Sequence, residues 1–475
     1  MQLSDLLEDL PGPVADKNVT GFAIDHRKIA PGNIFGAFKG ANFNAEEYIA
    51  EAVSAGAVAI VAREEVAVSG AYHIVSDCPR RDFAMLAAKF FAPAPPTVAA
   101  ISGTNGKTSV AELTRQLWYM AGHSAASIGT LGITTANGQE KTGLTSPDIV
   151  TFLSNMAGLA KEGVSHVAYE ASSHGLDQYR SEGLPVTIAA FTNVSRDHLD
   201  YHKTMDAYFA AKMRLFDEVV ASDGVAVIWA DDAWSEKAIC HAEQRGLKLF
   251  LVGQNGHSIR IVSRQTTKLG QKIEIEHNNA RHTVSLPLIG GYQAANALVA
   301  VGIAIAGGDD VAQTLSNAQR LQPVKGRLER AVITKAGAPV YVDYAHTPDA
   351  LSAAIDAVRP HVTGRLITIF GAGGNRDTGK RPTMGKVVIS KSDVAIVTDD
   401  NPRDEDPAAI RGAIIKAAPG AIEIADRRDA IAHAVQMAKA GDIILLAGKG
   451  HEEGQAIGKK IIPFNDVQVA RECAV

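Results

Sequence analysis

Short apolar runs alternate with helix-like stretches in the N-terminal part of the chain. Two predicted strands and two predicted helices lie there, at residues 34–38, 57–61, 48–55 and 81–91. This mixture is typical of a small α/β domain, which we place at residues 1–94. The proline-rich stretch 92–96 favours extended backbone and therefore indicates a linker.

The same alternation continues through the central part of the chain, which we place at residues 97–321. Its apolar runs predict parallel strands covered by helices, at 98–101, 166–169, 188–191, 224–228 and 247–252. Three later segments alternate apolar and polar residues with a period of two, which predicts an antiparallel edge at 259–263, 272–277 and 282–288. A helix-like run over 292–306 completes this domain.

A new strand-helix rhythm begins after Pro323 and predicts a Rossmann-like, doubly wound domain at residues 322–475. Its apolar runs lie at 340–342, 366–370, 394–397 and 443–446. Polar clusters follow the carboxyl ends of these runs, where such sheets bind ligands, at 343–346, 371–376, 399–403 and 448–452. The predicted fold class is therefore α/β, with three domains.

Composition favours small-molecule partners. The 475 residues include 47 basic and 52 acidic side chains, so the net charge of −5 predicts neither nucleic-acid binding nor a polybasic membrane patch. The three cysteines have no metal-ligand spacing, which indicates a reducing compartment. The N-terminal residues are acidic where a signal peptide is basic, and no apolar run has transmembrane length. We expect a cytoplasmic protein without membrane insertion.

A glycine-rich loop is the strongest chemical signal. It lies between a predicted strand and a helix that we expect to begin near Val110, and it reads Gly103, Thr104, Asn105, Gly106, Lys107, Thr108, Ser109. In such loops backbone N–H groups surround phosphate oxygens, while Lys107 reaches the β/γ-phosphates and Thr108 offers a hydroxyl to Mg²⁺. The loop is shorter than the Walker pattern, which has glycine where Ile101 stands. An ordinary turn is the alternative, but the context favours a P-loop-type, ATP-binding central domain.

Further candidates follow the next strands of this domain. Glu170 ends an apolar run and is placed to hold Mg²⁺, although a solvated loop glutamate is the alternative. The segment 197–202 carries two acids and two histidines, which favours a site over a surface loop. Lys212 lies in a predicted helix over 205–219, and by itself it is typical of a solvated helix lysine.

Two arginines near strand ends of the last domain favour a carboxylate substrate. Arg376 and Arg403 lie in the segments 375–377 and 400–403. Arginine pairs with carboxylates through two parallel hydrogen bonds, although surface ion pairs are an equal alternative.

Taken together, six segments resemble the Mur ligase family, and in particular its members that add the third residue of the peptidoglycan stem peptide. These segments are 103–109, 170–180, 197–212, 343–348, 373–382 and 400–403. The resemblance implies three domains, for a UDP-sugar, ATP and an amino acid. It also implies amide-bond formation through an acyl phosphate, with ATP, Mg²⁺, UDP-N-acetylmuramoyl-L-alanyl-D-glutamate and meso-diaminopimelate as cofactor and substrates.

The resemblance also implies roles for individual residues. Catalysis falls to Lys107, Lys212, Glu170 and His198, and Mg²⁺ binding to Thr108, Glu170, His198 and Lys212 as N6-carboxylysine, a carbamate. ATP binding falls to the loop residues 103–109 with Asn296, Arg327 and His346. UDP-muramoyl-dipeptide binding falls to Ile24, His26, Thr145, Ser146, Ser172, Gln178 and Arg180. Diaminopimelate binding falls to Arg376, Asp400, Asn401, Pro402, Arg403, Gly448 and Glu452.

Three positions depart from the family pattern. His26 stands where the family has serine, Leu144 where it has asparagine, and Gln293 where it has the first asparagine of its Phe-Asn-x-x-Asn pattern. These changes affect individual contacts and leave the metal and phosphate residues intact.

Three other functions remain as alternatives: an L-lysine-adding Mur ligase, a folylpolyglutamate synthase-like ligase, and a non-catalytic nucleotide-binding regulator. The segments Asp400-Asn401-Pro402-Arg403 and 172–180 oppose the second, and the intact set Lys107, Glu170, His198 and Lys212 opposes the third. We expect a monomer.

Overall fold

The N-terminal stretch forms a small parallel sheet. The computed structural model describes residues 1–40, 43–142, 145–268 and 270–474. The strand order is β1-β2-β3-β4, with β1 Gly21–Ala23, β2 Asn33–Gly36, β3 Ala59–Ala62 and β4 Tyr72–Val75. The helices are α1 Gly12–Ala15, α2 Ile49–Ser54 and α3 Pro79–Phe90, with 3-10 turns Leu3–Asp5, His26–Lys28 and Ala45–Tyr48. Strands β2 and β3 are buried along their whole length, as expected for strands covered on both faces.

The central sheet has the order β15-β14-β13-β12-β11-β10-β5-β9-β6-β7-β8. Its parallel strands are β5 Thr97–Ser102, β6 Ala125–Gly129, β9 His166–Glu170, β10 Val186–Phe191, β11 Val220–Trp229 and β12 Lys248–Gly253. The predicted antiparallel edge is confirmed as β13 Ile259–Thr267, β14 Gly270–His277 and β15 Ala280–Leu286. The opposite edge carries an antiparallel extension that the pattern did not predict, β7 Gly132–Thr135 and β8 Gly138–Glu140.

Helices cover both faces of the central sheet. They are α4 Lys107–Met120, α5 Ile149–Lys161, α6 Ser173–Asp177, α7 Leu199–His202, α8 Met205–Arg214, α9 Ser235–Gln244, α10 Gly291–Ala306 and α11 Val311–Ala318. Alternate residues of β5 point to opposite faces, so that Ala99 and Ile101 join α4 and α10, while Val98 and Ala100 join the cluster on the other face.

The C-terminal sheet has the order β16-β17-β21-β18-β19-β20, and only β16 pairs antiparallel. Its strands are β16 Glu329–Ile333, β17 Pro339–Asp343, β18 Leu366–Phe370, β19 Val394–Val397, β20 Ile422–Glu423 and β21 Ile443–Ala447, followed by the hairpin β22 Gly454–Ile457 and β23 Lys460–Pro463. The helices are α12 Pro348–Val358, α13 Lys380–Lys391, α14 Pro407–Ile415, α15 Arg427–Met437 and α16 Asp466–Cys473, with a 3-10 turn Arg359–His361.

The α/β fold class is confirmed, and two helix predictions need correction. Helix α4 begins at Lys107 instead of near Val110, because Gly106 adopts a left-handed conformation (φ 92°) and leads directly into the helix. The predicted helix over 205–219 ends at Arg214 and continues as a π-helical turn, Leu215–Val219. The domain boundaries stay a prediction.

Parallel pairing brings the predicted site segments to common edges. Ile101 pairs with Glu170 and Ser102 with Phe191. The glycine-rich loop 103–109, called the phosphate loop below, therefore leaves the sheet beside Glu170 and the segment 192–202. In the C-terminal sheet Asp343 pairs with Ala447, next to β18 and β19. In the part of the chain that the structure describes, we find no helix able to span a membrane.

Candidate active site

The phosphate loop packs closely against the segment that follows β10. A Cβ atom at Gly103 (φ 149°) would lie 1.9 Å from Thr192 Oγ1, and one at Gly106 (φ 92°) would lie 2.4 Å from Asn296 Oδ1. The Asn105 N–H donates to Asn193 Oδ1 (2.9 Å). Both glycines are therefore required by sterics as well as by backbone conformation.

Two lysines converge on one carbonyl oxygen of this loop. Lys107 Nζ donates to the carbonyls of Gly103 (2.9 Å) and Thr104 (2.8 Å), and Lys212 Nζ donates to the same Gly103 carbonyl (2.7 Å). Burial lowers the pKa of both amines, and that of Lys212, which also lies near Lys107, falls well below its usual range.

The interpretation of Lys212 as a solvated helix lysine is wrong. Its side chain is 1% exposed, and its ammonium lies 4.4 Å from the centroid of the Tyr208 ring. Helix α8 turns this side chain inward against the phosphate loop, which the flanking residues alone did not indicate.

Glu170 is buried and held by one residue. Its exposed fraction is 3%, Oε1 accepts from the Thr130 N–H (2.6 Å), and Oε2 accepts from Thr130 Oγ1 (3.2 Å). The alternative of a solvated loop glutamate is therefore wrong. Thr130 was missed by the sequence analysis, because it lies forty residues upstream and meets Glu170 only through strand pairing of β6 with β9.

The segment 197–202 is buried at both ends and partly exposed between them, which opposes a solvated surface loop. Asp197 and His202 are each 8% exposed, and His202 Nε2 lies 3.0 Å from Ser173 Oγ. His198 adopts a left-handed conformation (φ 54°), and burial lowers its pKa to about 4 although Asp197 opposes this shift. Burial would raise the pKa of Asp197, but His198, His346 and Lys380 together lower it to about 2. His198 is therefore a neutral imidazole near pH 7, the form that binds metals.

The donors around the loop suit Mg²⁺ only in part. Thr108 and Glu170 offer the oxygen atoms that Mg²⁺ prefers, and His198 offers a nitrogen atom. Among the described residues, no group of three or more His, Cys, Asp or Glu side chains has an arrangement able to hold a metal ion. The set fits Mg²⁺ if Lys212 contributes oxygen atoms, which an amine cannot do but a carbamate can.

Contacts between the central and C-terminal parts of the chain involve three residues predicted to bind ATP, namely Thr108, Arg327 and His346. Arg327 Nη2 donates to Thr108 Oγ1 (2.9 Å), and its guanidinium lies 4.4 Å from the centroid of the Tyr344 ring. His346 Nδ1 lies 2.8 Å from the Tyr344 carbonyl oxygen, and Nε2 lies 3.9 Å from Asp197 Oδ2. Burial lowers the pKa of His346. Arg327 Nη1 is buried without a hydrogen-bond partner within the described residues, which leaves a free donor beside the phosphate loop.

The departure at Gln293 acquires a structural explanation. Gln293 Nε2 donates to the Arg327 carbonyl (3.0 Å), and Asn296 Nδ2 donates to Gln293 Oε1 (3.4 Å). Gln293 therefore links helix α10 to Arg327 and also contacts Asn296 of the same helix, which packs on Gly106.

Five of the predicted dipeptide-binding residues form one hydrogen-bonded group beside Glu170. The Oγ1 atoms of Thr145 and Thr130 are 3.0 Å apart, and Ser146 Oγ contacts Ser172 Oγ (2.9 Å) and donates to the Glu170 carbonyl (3.1 Å). Arg180 donates to the Ser146 carbonyl (2.9 Å) and to Gln178 Oε1 (2.6 Å). Leu144 lies outside the described residues.

His26 and Ile24 lie in the N-terminal unit and, among the described residues, make no hydrogen bond to that group. The His26 ring stacks on Tyr48, with centroids 4.1 Å apart and planes 8° apart, and Nε2 lies 3.6 Å from Glu51 Oε2. Arg80, which the sequence analysis missed, lies over the Phe38 ring at 4.9 Å. Burial, together with the nearby Arg180, lowers the pKa of Arg80.

The predicted amino-acid residues come together at the carboxyl ends of β18, β19 and β21. Asn401 Nδ2 donates to Glu452 Oε2 (2.8 Å), and a Cβ atom at Gly448 would lie 3.1 Å from Asp400 Oδ2. Pro402 is buried, and Arg403 (φ 53°) donates from Nη1 to the Gly374 carbonyl (2.8 Å). Arg376 is exposed. Within the described residues neither arginine forms an ion pair, which opposes the surface ion-pair alternative.

Two further residues of this region were missed by the sequence analysis. Lys449 is fully buried between Asn401 and Glu452, and Tyr344 contacts Arg327, His346 and His451 through its ring. Both lie inside polar clusters that follow predicted strands, so their position was a usable signal.

The two sides of the site also contact each other directly. Arg196 Nε donates to Asp377 Oδ2 (3.2 Å), which links the segment that carries His198 to the segment that carries Arg376. The site therefore combines a phosphate loop, a carboxylate-imidazole-lysine group and an arginine-rich pocket.

Family models match most of the chain. The Mur ligase middle domain matches residues 101–304, and the Mur ligase, glutamate ligase domain matches residues 326–450. A UDP-N-acetylmuramoyl-L-alanyl-D-glutamate--2,6-diaminopimelate ligase from Zymomonas mobilis is 56% identical over 464 residues, which are 97% of this chain and 96% of that protein.

Solved structures agree with this similarity. A structure of UDP-N-acetylmuramoyl-L-alanyl-D-glutamate--2,6-diaminopimelate ligase has a TM-score of 0.73 and 30% identity, covering 100% of this chain and 98% of that one. A folylpolyglutamate synthase from Mycobacterium tuberculosis, complexed with ADP and AMPPCP, has a TM-score of 0.62 and 19% identity, covering 74% of this chain and 88% of that one. The second likeness concerns the fold alone.

Proposed function

The chain belongs to the Mur ligase family, and on that premise we propose that it adds meso-diaminopimelate to UDP-N-acetylmuramoyl-L-alanyl-D-glutamate at the expense of ATP. A carboxylate of the glutamyl residue takes the γ-phosphoryl group, which gives an acyl phosphate and ADP. The amine of diaminopimelate then attacks the acyl carbon and phosphate leaves. One observation carries the proposal: Arg196 donates to Asp377. This contact joins the side of the site that carries the phosphate loop to the side that carries Arg376 and Arg403.

The phosphate loop binds and orients the triphosphate. Its backbone N–H groups and the N-terminus of α4 face the phosphates, and Lys107 exchanges its contacts with the Gly103 and Thr104 carbonyls for phosphate oxygens. Arg327 supplies its free Nη1 donor beside Thr108. We place Ser109, Asn296 and His346 with this group.

Thr108, Glu170, His198 and Lys212 as carbamate would hold Mg²⁺. When bound, Mg²⁺ neutralises the charge that develops on the transferring phosphoryl group. Burial supports modification of Lys212, because only an uncharged amine attacks CO₂, and the pKa of this amine is well below its usual range. The new carbamate oxygens are hard donors, as Mg²⁺ requires.

The hydrogen-bonded group around Ser146 would receive the dipeptide end of the first substrate. Thr145, Ser146, Ser172, Gln178 and Arg180 lie next to Glu170, so a carboxylate bound there is close to the phosphoryl group. We assign Ile24 and His26 to the uridine end. Stacking on Tyr48 gives His26 a planar surface that a serine lacks, so this contact is rearranged in comparison with the family pattern.

The pocket between β18, β19 and β21 would hold the amino acid. Asp400, Asn401 and Glu452 suit an ammonium group, while Arg403 and Arg376 suit the second carboxylate that distinguishes diaminopimelate from lysine. Lysine would leave a guanidinium unpaired and is therefore rejected. Pro402 and Gly448 shape the loops that present these groups.

We further propose roles for the three predicted domains. Residues 1–94 bind the UDP-sugar, 97–321 bind ATP, and 322–475 bind the amino acid. The chain acts as a monomer in cytoplasmic peptidoglycan precursor synthesis. The net charge and the relatives support small-molecule substrates in place of nucleic acid.

Phosphate release by the purified chain tests the proposal. With ATP and Mg²⁺ present, we expect release to require both the UDP-muramoyl dipeptide and meso-diaminopimelate, and mass spectrometry to show the tripeptide product. Release with L-lysine instead indicates an L-lysine-adding ligase, and release with a folate and glutamate indicates a folylpolyglutamate synthase-like enzyme. Nucleotide binding without any release indicates a regulator.

A further inference from the structure

Lys449 is a fully buried lysine inside the amino-acid pocket, between two carboxylates. Its side chain is 0% exposed, and Nζ donates to Asn401 Oδ1 (3.1 Å) and Glu452 Oε2 (3.1 Å). Asp400 Oδ1 lies 3.7 Å from the same atom. Burying a charged lysine is costly, so a side chain held in this way has a specific electrostatic or structural purpose.

Of the oxygen atoms around Lys449, Asp400 Oδ1 can still accept a hydrogen bond from a cation. Asn401 Oδ1 is occupied by Lys449 and by the Ala456 N–H (2.9 Å), and Glu452 Oε2 by Lys449 and Asn401 Nδ2. Asp400 Oδ1 is buried and has no hydrogen-bond partner among the described residues. An unsatisfied buried carboxylate oxygen favours a donor that arrives with a ligand.

The charges around Asp400 Oδ1 indicate what kind of ligand this atom would accept from. Asp400 and Glu452 carry two negative charges, and Lys449 cancels one of them. The pocket is therefore matched to one ammonium group, whereas two carboxylates without Lys449 between them would repel each other and lose their fixed orientation.

We propose that Lys449 is a positioning residue that sets the preference of this pocket for an amino acid with one distal ammonium group. Its ammonium holds Glu452 and Asn401 in place, and it leaves Asp400 Oδ1 to accept from the substrate. This inference rests on the proposed function, because it takes the pocket to be the diamino-acid site.

The test compares two amino acids in variants of the full chain. Meso-diaminopimelate carries the distal ammonium group, and 2-aminopimelate keeps the distal carboxylate but lacks that group. Lys449→Met keeps the length of the side chain and removes its charge, Lys449→Arg keeps the charge, and Lys416→Met changes an exposed lysine of the same region as a matched control.

We expect Lys449→Met to raise KM for meso-diaminopimelate about tenfold and to reduce its preference over 2-aminopimelate by a similar factor. KM for ATP and for the UDP-muramoyl dipeptide stays unchanged, Lys449→Arg recovers part of the preference, and Lys416→Met matches wild type. Partial unfolding lowers the rates with meso-diaminopimelate and with 2-aminopimelate equally, so it does not alter their ratio. If Lys449→Met is insoluble, Lys449→Gln replaces it as the neutral variant.

Three results would overturn the proposal: an unchanged preference in Lys449→Met, a parallel rise of KM for all three substrates, or failure of both neutral variants to fold, which makes Lys449 a structural residue. Wild-type enzyme that does not use meso-diaminopimelate refutes the proposed function instead, so the two failures are distinguishable.

Discussion

At the scale of single residues, the shared Gly103 carbonyl is the central feature. Two amines donate to one oxygen atom, and Lys107 disfavours a charge on the buried Lys212. A triphosphate relieves this by drawing Lys107 away, and conversion of Lys212 to a carbamate relieves it by reversing the sign of one charge. The two lysines therefore have different predicted functions although they start from the same contact.

Replacement of Lys212 separates these functions. We expect Lys212→Ala to lower ligation on the order of a hundredfold or more, because the metal loses an oxygen ligand. ADP binding, measured by calorimetry, stays close to that of wild type, because Lys107 and the loop remain. Added acetate restores part of the activity, and Lys161→Ala, at an exposed lysine of α5, is the control. Near-wild-type turnover of Lys212→Ala would contradict the carbamate role.

We predict that Arg403 decides the choice of amino acid. Its guanidinium is held by the Gly374 carbonyl and forms no ion pair among the described residues. A partly desolvated, charge-assisted pair with the distal carboxylate contributes roughly 1.5–3 kcal/mol. We expect Arg403→Ala to reduce the preference for meso-diaminopimelate over L-lysine about ten- to a hundredfold, mainly through KM. Steady-state kinetics with both amino acids measure this, and an undiminished preference in the variant would refute the assignment.

At the scale of elements, strand β9 carries chemistry at one end and a stability determinant at the other. Glu170 ends the strand in the site, while His166 begins it, stacked on His123 at 4.0 Å and beside Trp118 of α4 at 5.0 Å. Burial, and then the charge of His123, lowers the pKa of His166 to about 4. A histidine with a lowered pKa resists protonation in the folded chain, so as the pH falls the unfolded chain takes up its proton first.

This pKa predicts how stability depends on pH. The contribution of His166 is fully present above its ordinary pKa of 6.5 and is lost as the pH falls from there through about 4. Lowering the pH from about 7 to about 5 reduces the unfolding free energy of wild type. We expect this reduction to be about 1–2 kcal/mol smaller in His166→Phe, because the variant takes up no proton at this position. Urea unfolding at both pH values measures the difference. His257→Phe, at an exposed histidine, should follow wild type, and an equal loss in His166→Phe would contradict the prediction.

At the scale of the whole molecule, a few polar contacts connect the large sheets at the site. Arg327 bonds Thr108, Arg196 bonds Asp377, and Glu453 accepts from Lys141, which follows the edge strand β8, as well as from Lys325 on its own side (3.0 Å). These lysines lower the pKa of Glu453 to about 2. Exposed ion pairs contribute little to stability, so we predict that these contacts instead position one side of the site against the other.

The Arg196 contact tests this role. Arg196 is 57% exposed, so we expect Arg196→Ala to leave the melting temperature unchanged. The loss of about 1 kcal/mol of positioning would lower kcat about fivefold, with KM for ATP unchanged. Arg260→Ala breaks an exposed pair with Glu276 on the far edge of the sheet and is the control. Asp377→Asn should lower kcat by the same factor as Arg196→Ala, and the double variant should lower it no further. Full kcat in either single variant would refute the positioning role of this contact.

Local patterns predicted much of the fold, because they depend on neighbouring residues. The strand-helix alternation, the antiparallel edge of β13 to β15 and the position of the glycine-rich loop between a strand and a helix all follow from side-chain period and backbone freedom. The hairpin of β7 and β8 was not predicted, since both strands are short, β7 is only partly buried, β8 is exposed along its whole length, and they carry no apolar period.

The amino-acid sequence by itself determined which segments we assign to phosphate, metal and carboxylate binding, because glycine spacing and polar clusters after apolar strands are local signals. Tertiary structure decided which side chains are buried together. Lys212, flanked by alanines and large apolar residues, had the pattern of a solvated helix lysine until the packing of α8 turned it onto Gly103. Lys449 and Thr130 likewise acquire their partners from strands distant in sequence, so their roles depend on sheet pairing, which no local pattern contains.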